Sequence, residues 1–321
     1  MKATLTTLRD IDVARDALPS VVRRTPVLPL APKPCDTGRE KLFLKAECLQ
    51  VTGAYKVRAA FNVIRSLSEL ERKRGIVLAS SGNFAQAFAF AGAQMRVSVV
   101  VVMLDQPSAY KVSATQALGA EVVFCGRDAL NRQPTVESIA SDRNMTSIDT
   151  WEYPPVVAGH GSIGLEVIED VPEVKQILVP ISSGGVAAGI ATAVKLSSPD
   201  VKVIGVQPEG ANAYFLSREA GRPVTLNHWD SIADGLSARF PGTYPFDHLQ
   251  EYLDDVVLVS EKDIGEAFRS LLYRGKLLAE PAGAVAAAAF LTGKVDQNRM
   301  TVAVVTGGNV TAEPVQTLLN L

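Results

Sequence analysis

Four short segments carry residues of the kind that do chemistry. Three are small-residue turns: Ser80-Ser81-Gly82-Asn83, Ser182-Ser183-Gly184-Gly185 and Thr306-Gly307-Gly308-Asn309. Small residues let backbone N–H groups approach an anion, and a following helix adds unpaired donors and the positive end of its dipole. The turn at 182–185, ahead of residues 186–196 that read as a helix, suits a phosphate. A tight packing turn explains it equally well, and Ser, Gly and Asn are common in unrelated turns. The fourth segment, Val51-Thr52-Gly53-Ala54-Tyr55-Lys56, sets a lysine beside an aromatic ring at a helix opening. Such an amine serves as nucleophile or base once burial lowers its pKa. A solvated surface lysine is the commoner case.

The elements around these segments follow a simple alternation. Val/Ile-rich runs at 76–80, 97–104, 121–124, 176–181, 201–206 and 301–306 read as strands. They are nearly continuous rather than alternating, as strands covered on both faces are. Helical spacing fills the gaps. At 59–74 Phe61, Val63, Ile64, Leu67 and Leu70 recur mainly at three and four residues, which predicts one helix with a buried face. Ser260, followed by Asp263, starts another helix over 260–278. Residues 241–246 read as a surface loop. Strands alternating with helices predict an α/β architecture with parallel sheets. Ligands of such folds lie at the carboxyl ends of strands, where the three turns fall.

Composition narrows the function. The 321 residues suggest two domains at ~150 residues each. Lys plus Arg number 32 against 34 Asp plus Glu, a net charge of −2, which excludes a nucleic-acid binder driven by bulk positive charge. Cys35, Cys48 and Cys125 are scattered, and the histidines are His160, His228 and His248. Neither a disulfide framework nor a structural zinc site is expected. The apolar runs at 97–104 and 282–291 fall short of the ~18 residues of a membrane span. Charges at Arg9, Asp10, Asp12, Arg15 and Asp16 leave no signal-peptide core, so a cytoplasmic protein with no membrane or nucleic-acid partner is expected. A GxGxxG fingerprint is absent after the first strand. Gly184 and Gly189 have P-loop spacing, but Ile190 stands where a lysine is needed.

Taken in order, the segments resemble the fold-type II pyridoxal-phosphate (PLP) enzymes of the threonine dehydratase and serine racemase branch. The stretch 47–60, which includes Tyr55-Lys56, comes first, then Ser80-Ser81-Gly82-Asn83-Phe84-Ala85-Gln86 and Ala158-Gly159-His160-Gly161-Ser162-Ile163-Gly164. The 182–185 turn, Glu280-Pro281-Ala282-Gly283 and Thr306–Asn309 complete the set. The resemblance spans nearly the whole chain. It implies two doubly wound open sheets, as in the tryptophan synthase β-like fold, with PLP in the cleft between domains. The large domain would be residues 1–71 and 149–321, and the small one 72–148. Dimers are common in the family, so a homodimer is expected. With Leu321 soon after Asn309, no C-terminal regulatory domain is expected.

The resemblance also implies roles. Lys56 would form the Schiff base with the cofactor and take the substrate Cα proton. Ser182, Ser183, Gly184 and Gly185 would hold the phosphate, although the family usually has more glycine there. Asn83 would meet the phenolic oxygen, Tyr55 the ring and Thr306 the ring nitrogen. Ser80, Ser81, Gly82, Asn83 and Phe84 would bind the substrate carboxylate, Phe84 replacing the usual His. Ser81 stands where racemases keep an acid/base opposite the lysine. Gln207 and Ala213 occupy the positions of a Glu–Asp cation site, so no metal is expected, although Glu209 is close in sequence. Arg132 falls where some relatives meet a second carboxylate, with a solvated loop arginine as the alternative. Trp151, in place of a His-Pro pair, suggests a reshaped side-chain pocket or a core Trp. The implied activity is dehydration and deamination of a 3-hydroxy amino acid such as threonine or serine. Hydroxyaspartate or phenylserine dehydration and serine-type racemisation are the alternatives. A non-catalytic PLP-binding protein and a nucleotide-binding α/β protein are rivals from other classes.

Overall fold

The computed structural model describes residues 4–31, 41–105 and 109–320, so Cys35 lies outside the described residues. Ten strands are β1 (Val27–Pro29), β2 (Leu42–Lys45), β3 (Ile76–Ala79), β4 (Val99–Met103), β5 (Glu121–Phe124), β6 (Thr146–Ser147), β7 (Gln176–Pro180), β8 (Lys202–Pro208), β9 (Asp255–Val259) and β10 (Thr301–Val304). They form a six-stranded sheet in the order β1-β2-β10-β7-β8-β9 and a four-stranded sheet in the order β5-β4-β3-β6. Every pairing is parallel except β1 with β2, where Leu28 faces Leu44. The fully buried VVVVM of β4 shows why: such a strand needs cover on both faces, which crossover helices supply.

The four-stranded sheet is built from residues 76–147, and the six-stranded sheet takes its strands from 27–45 and 176–304. Helix Lys56–Ser66 joins the two. Its Val57, Phe61 and Ile64 share a core with Ile76, Leu78 and Phe88. Its other side meets helix Pro154–Asp170, where a Cβ on Gly159 would stand 2.8 Å from Ala59 Cα. Only glycine permits that approach, and it brings Arg58 within reach of Glu166.

The helix expected over 59–74 is two helices, Lys56–Ser66 and Glu69–Arg74. Leu67 is extended, and Ser68 caps the second helix in a reciprocal box with Glu71. Apolar spacing that continued through the break hid it. The expected loop at 241–246 is largely helix: Thr243–Tyr252 begins right after Gly242. Glu152 acts as its cap from a distance, accepting from Thr243 N (2.6 Å) and Tyr244 N (2.8 Å). The helix starting at Ser260 forms with its capping box but ends at Tyr273, short of 278.

Candidate functional site

The carboxyl ends of three strands converge. β10 and β7 are neighbours, so the turns after them, 306–309 and 182–185, lie side by side. The segment ahead of Lys56 runs along the first of these. Cys48 N donates to Val305 O (3.0 Å), Tyr55 N to Thr306 O (3.1 Å) and Gly308 N to Gly53 O (2.9 Å). The turn after β3, from the other sheet, is stitched in by side chains. Asn83 Nδ2 donates to Glu280 Oε1 (2.8 Å), and Asn309 Nδ2 donates to Asn83 Oδ1 (2.8 Å). The turns after β3 and β10 and the lysine segment thus form one cluster, with the 182–185 turn alongside.

Lys56 opens its helix, and its Nζ sits 4.4 Å from the centroid of the Tyr55 ring and 4.1 Å from that of Phe84. Among the described residues no hydrogen bond or ion pair engages this nitrogen. Burial pushes the amine down to about 7, against an upward pull from Glu280. Burial likewise pushes the Glu280 carboxyl up to about 7, with Asp234 adding to the effect and Asn83, Lys111 and Lys56 opposing it. Near pH 7 both groups exchange protons readily, as acid–base chemistry requires.

Gly184 ends the turn after β7 at φ +107°, a conformation that favours glycine, and it caps helix Gly185–Ser197 with no side-chain bond. Ser182 Oγ accepts from Ala238 N (3.3 Å), and Ser183 O accepts from Gly242 N (2.9 Å). The loop between those donors carries Phe240, and Trp151 packs on it edge-to-face at 5.2 Å. Ser80 Oγ accepts from Ala85 N (3.2 Å) at the start of helix Asn83–Met95. Ser81 Oγ is buried without a partner among the described residues, and the space in front of Gly82 Cα is open. Thr306 is buried beside the Ala54–Gly307 bridge.

Of the residues expected at a site, Tyr55, Lys56, Asn83, Phe84 and Thr306 fall within this hydrogen-bonded and aromatic cluster, and Ser80, Ser81 and Gly82 lead into Asn83. The 182–185 turn flanks it. Arg132 does not join. It opens helix Arg132–Asp142, which follows β5 in the chain and packs through Val136 and Ile139 on Val77 of β3 and Val100 and Val102 of β4. Its Nε is buried without a hydrogen-bond partner among the described residues, while the residue as a whole is half-buried. Gln207 is taken up internally: Nε2 donates to Ile181 O and Ala211 O, and Oε1 accepts from Phe215 N. Glu209 is exposed. No cluster of three His, Cys, Asp or Glu side chains suited to a metal occurs among the described residues.

Sequence reasoning gave no role to Glu280, Asn309 or His160, although all three lie in segments that carried the resemblance. His160 stacks 4.7 Å from the Tyr55 ring and 5.9 Å from Phe84. Burial holds its ring well below the ordinary histidine pKa, with Lys56 and Arg58 adding to the effect and the Gly185 backbone opposing it, so it is neutral.

An α/β protein with an unpaired amine at the meeting of three strand-end turns has the layout of a cofactor-carrying enzyme. The sequence profile of the pyridoxal-phosphate dependent enzymes matches residues 18–307, and the chain belongs to that family. It is 38% identical over 315 residues to an L-threonine ammonia-lyase from Thermotoga maritima, covering 98% of this chain and 78% of that one. It is 39% identical over 273 residues to the L-threonine dehydratase catabolic TdcB of Escherichia coli, covering 84% and 83%. The solved structure of maize serine racemase superposes with a TM-score of 0.91 at 29% identity, covering 99% of this chain and 98% of that one. No helix among the described residues is long and apolar enough to cross a membrane.

The site fits the family's cofactor. It offers a neutral-leaning amine, a helix N-terminus preceded by glycine, and buried polar atoms (Ser81 Oγ and both His160 nitrogens) that lack partners within the described residues.

Proposed function

We propose that this chain is an ammonia-lyase for a 3-hydroxy amino acid of the threonine or serine type, releasing a 2-keto acid and ammonia. The observation that carries the reading is the Lys56 amine, flanked by two rings and without a hydrogen bond among the described residues, in a chain 38–39% identical to proteins named for threonine. In this reading the large domain comprises residues 1–71 and 149–321 and the small one 72–148, with the site between them. A cytoplasmic homodimer belongs to the same proposal.

Lys56 would hold the cofactor covalently, and Ser182, Ser183, Gly184 and Gly185 would hold its phosphate. Asn83 would meet its phenolic oxygen and Thr306 its ring nitrogen, with Tyr55 against the ring. When bound, pyridoxal phosphate supplies an electron sink for the pair left on Cα. Lys56 Nζ takes the Cα proton, a role that suits an amine poised near pH 7. Glu280 fixes the Asn83 amide and keeps a carboxyl beside that amine. The substrate carboxylate binds at the start of helix Asn83–Met95, through Ser80, Ser81, Gly82 and the Asn83 and Phe84 N–H groups, where the helix dipole favours an anion. Phe84 and Tyr55 flank the amine with apolar rings. The 3-hydroxyl leaves as water and a water then replaces the amino group, released as ammonia, so one 3-hydroxy amino acid gives one keto acid and one ammonia with no net change in water.

A second reading, racemisation, is favoured by one observation: Ser81 Oγ is buried with no partner among the described residues, where a hydroxyl could pass a proton to Cα. The test is ammonia and keto-acid release from matched L-threonine, L-threo-phenylserine and L-threo-3-hydroxyaspartate, with chiral analysis of L-serine. Equal ammonia and keto acid support the lyase. A D-amino acid formed faster than keto acid replaces it with the racemase, and no turnover of any substrate overturns both.

A further inference from the structure

The protein has two buried histidines in its core, and the fold treats them differently. His248 is fully served: Nε2 accepts from Thr6 N (3.1 Å), and Nδ1 pairs with Thr192 Oγ1 (2.9 Å). His160 is as deeply buried, 1% exposed, yet beyond a contact with the Gly185 backbone neither ring nitrogen makes a well-formed hydrogen bond among the described residues. Buried polar groups are nearly always hydrogen-bonded, so an unserved pair of nitrogens beside a ligand site points to a group that arrives with the ligand.

The position of the ring says which group. Its Nδ1 edge faces Gly185, where a Cβ would stand only 3.6 Å away. Gly185 is the first residue of the thirteen-residue helix Gly185–Ser197, whose cap, Gly184, offers no side chain to the first-turn N–H groups. Those donors and the helix dipole favour an anion. A Gln or Asn would also reach, but the flat ring additionally packs against Tyr55 at 4.7 Å, joining the anion end of the site to the lysine segment. A neutral imidazole carries one N–H, which is what an anion oxygen needs.

We propose that His160 is a positioning residue that donates a hydrogen bond to a phosphate monoester held at the N-terminus of helix Gly185–Ser197. This rests on the reading that the 182–185 turn takes the cofactor phosphate, and it adds a side-chain donor from a different helix. His160 thereby discriminates the phosphorylated cofactor from its unphosphorylated form.

With three histidines in the chain, ring-nitrogen NMR of the 15N-histidine-labelled protein is resolvable. The protein stripped of cofactor is titrated with pyridoxal phosphate, pyridoxal and inorganic phosphate, and His160 is identified by its loss in His160→Gln. The His160 signals are expected to move with pyridoxal phosphate and with inorganic phosphate, and not with pyridoxal, while His248 stays fixed. His160→Leu should weaken pyridoxal phosphate about tenfold to a hundredfold, as loss of a charge-assisted bond does, with pyridoxal affinity unchanged. His160→Gln, which keeps an N–H, should recover much of the loss. An equal response to pyridoxal, or a still His160 while pyridoxal phosphate binds, overturns the proposal. If His160→Leu does not fold, the wild-type titration decides alone. Absence of any visible band with either aldehyde overturns the cofactor site itself, a different failure.

Discussion

Lys56 and Arg58 stand two residues apart in the first turn of one helix, and their surroundings are opposite. Arg58 is wholly buried and fully paired. Its Nε and Nη2 donate to Glu47 (2.9 Å each), and Nη1 and Nη2 donate to Glu166 (2.6 and 2.8 Å). Lys45, also buried, donates to the same Glu166 at 2.6 Å, so two cations balance two anions. Burial alone would lower the guanidinium pKa, but the two carboxylates outweigh it and push it up. Lys56 has no such partner, and burial pushes its amine down. Burial costs both cations solvation. A matched partner makes one a fixed structural element, and the lack of one leaves the other a reactive amine.

Replacing each cation by methionine, which keeps the length and removes the charge, sharpens the contrast. Lys56→Met should reduce turnover by about a thousandfold or more, since base and cofactor anchor go together. Its melting temperature without cofactor, read by calorimetry, should hold or rise. The amine is held near 7 against an ordinary 10.5, so the folded state binds fewer protons across that window. It costs stability at pH 7 and less as pH rises toward 10.5. Arg58→Met should do the reverse. It strands Glu47 and Glu166 and should cost about 3–5 kcal/mol in denaturant unfolding. Equal losses of stability in the two variants would erase the distinction.

Glu280 offers a finer lever, because its carboxyl raises the Lys56 pKa that burial has lowered. Pyridoxal phosphate should attach to the stripped protein faster as pH rises, with a midpoint near 7, because only the neutral amine attacks an aldehyde. Glu280→Gln removes the stabilising negative charge, so the protonated amine is disfavoured and the midpoint should move to lower pH. Stopped-flow absorbance across pH 5–9 measures it. An unmoved midpoint would uncouple the carboxylate from the amine.

The same contrast marks what a sequence discloses. Glycine-and-serine turns after apolar runs are local features, and the segments at 80–83, 182–185 and 306–309 were legible, as was Tyr55-Lys56 beside them. Parallel sheets were legible because doubly covered strands read as unbroken Val and Ile. The Arg58 network was not. Lys45, Glu47 and Glu166 come from a strand, a short 3-10 turn and a distant helix, and each reads as an ordinary charge until the fold joins them. Glu280 and Asn309 were hidden in the same way, since their bonds to Asn83 span 197 and 226 residues. The cap that Glu152 gives to helix Thr243–Tyr252 is also non-local, which is why that segment read as a loop.

Arg132 is a third kind of cation, its buried Nε without a partner among the described residues, and no hydrogen bond or ion pair among those residues ties it to the cluster. It opens the helix that packs on β3, the strand whose carboxyl end carries the 80–83 turn, and on its neighbour β4. An arginine left unpaired at rest is suited to a carboxylate that comes and goes with substrate. Trp151 and the 43% exposed Phe240 form an apolar wall beside the 182–183 turn. The two features favour different side chains. Arg132→Ala should lower the ratio of hydroxyaspartate to threonine kcat/KM about tenfold or more, the worth of one charge-assisted hydrogen bond. The change should fall mainly on KM, because a second carboxylate is bound alike before and during the chemistry. A ratio that holds in Arg132→Ala would make Arg132 irrelevant to substrate choice and leave the aromatic wall as the selecting surface.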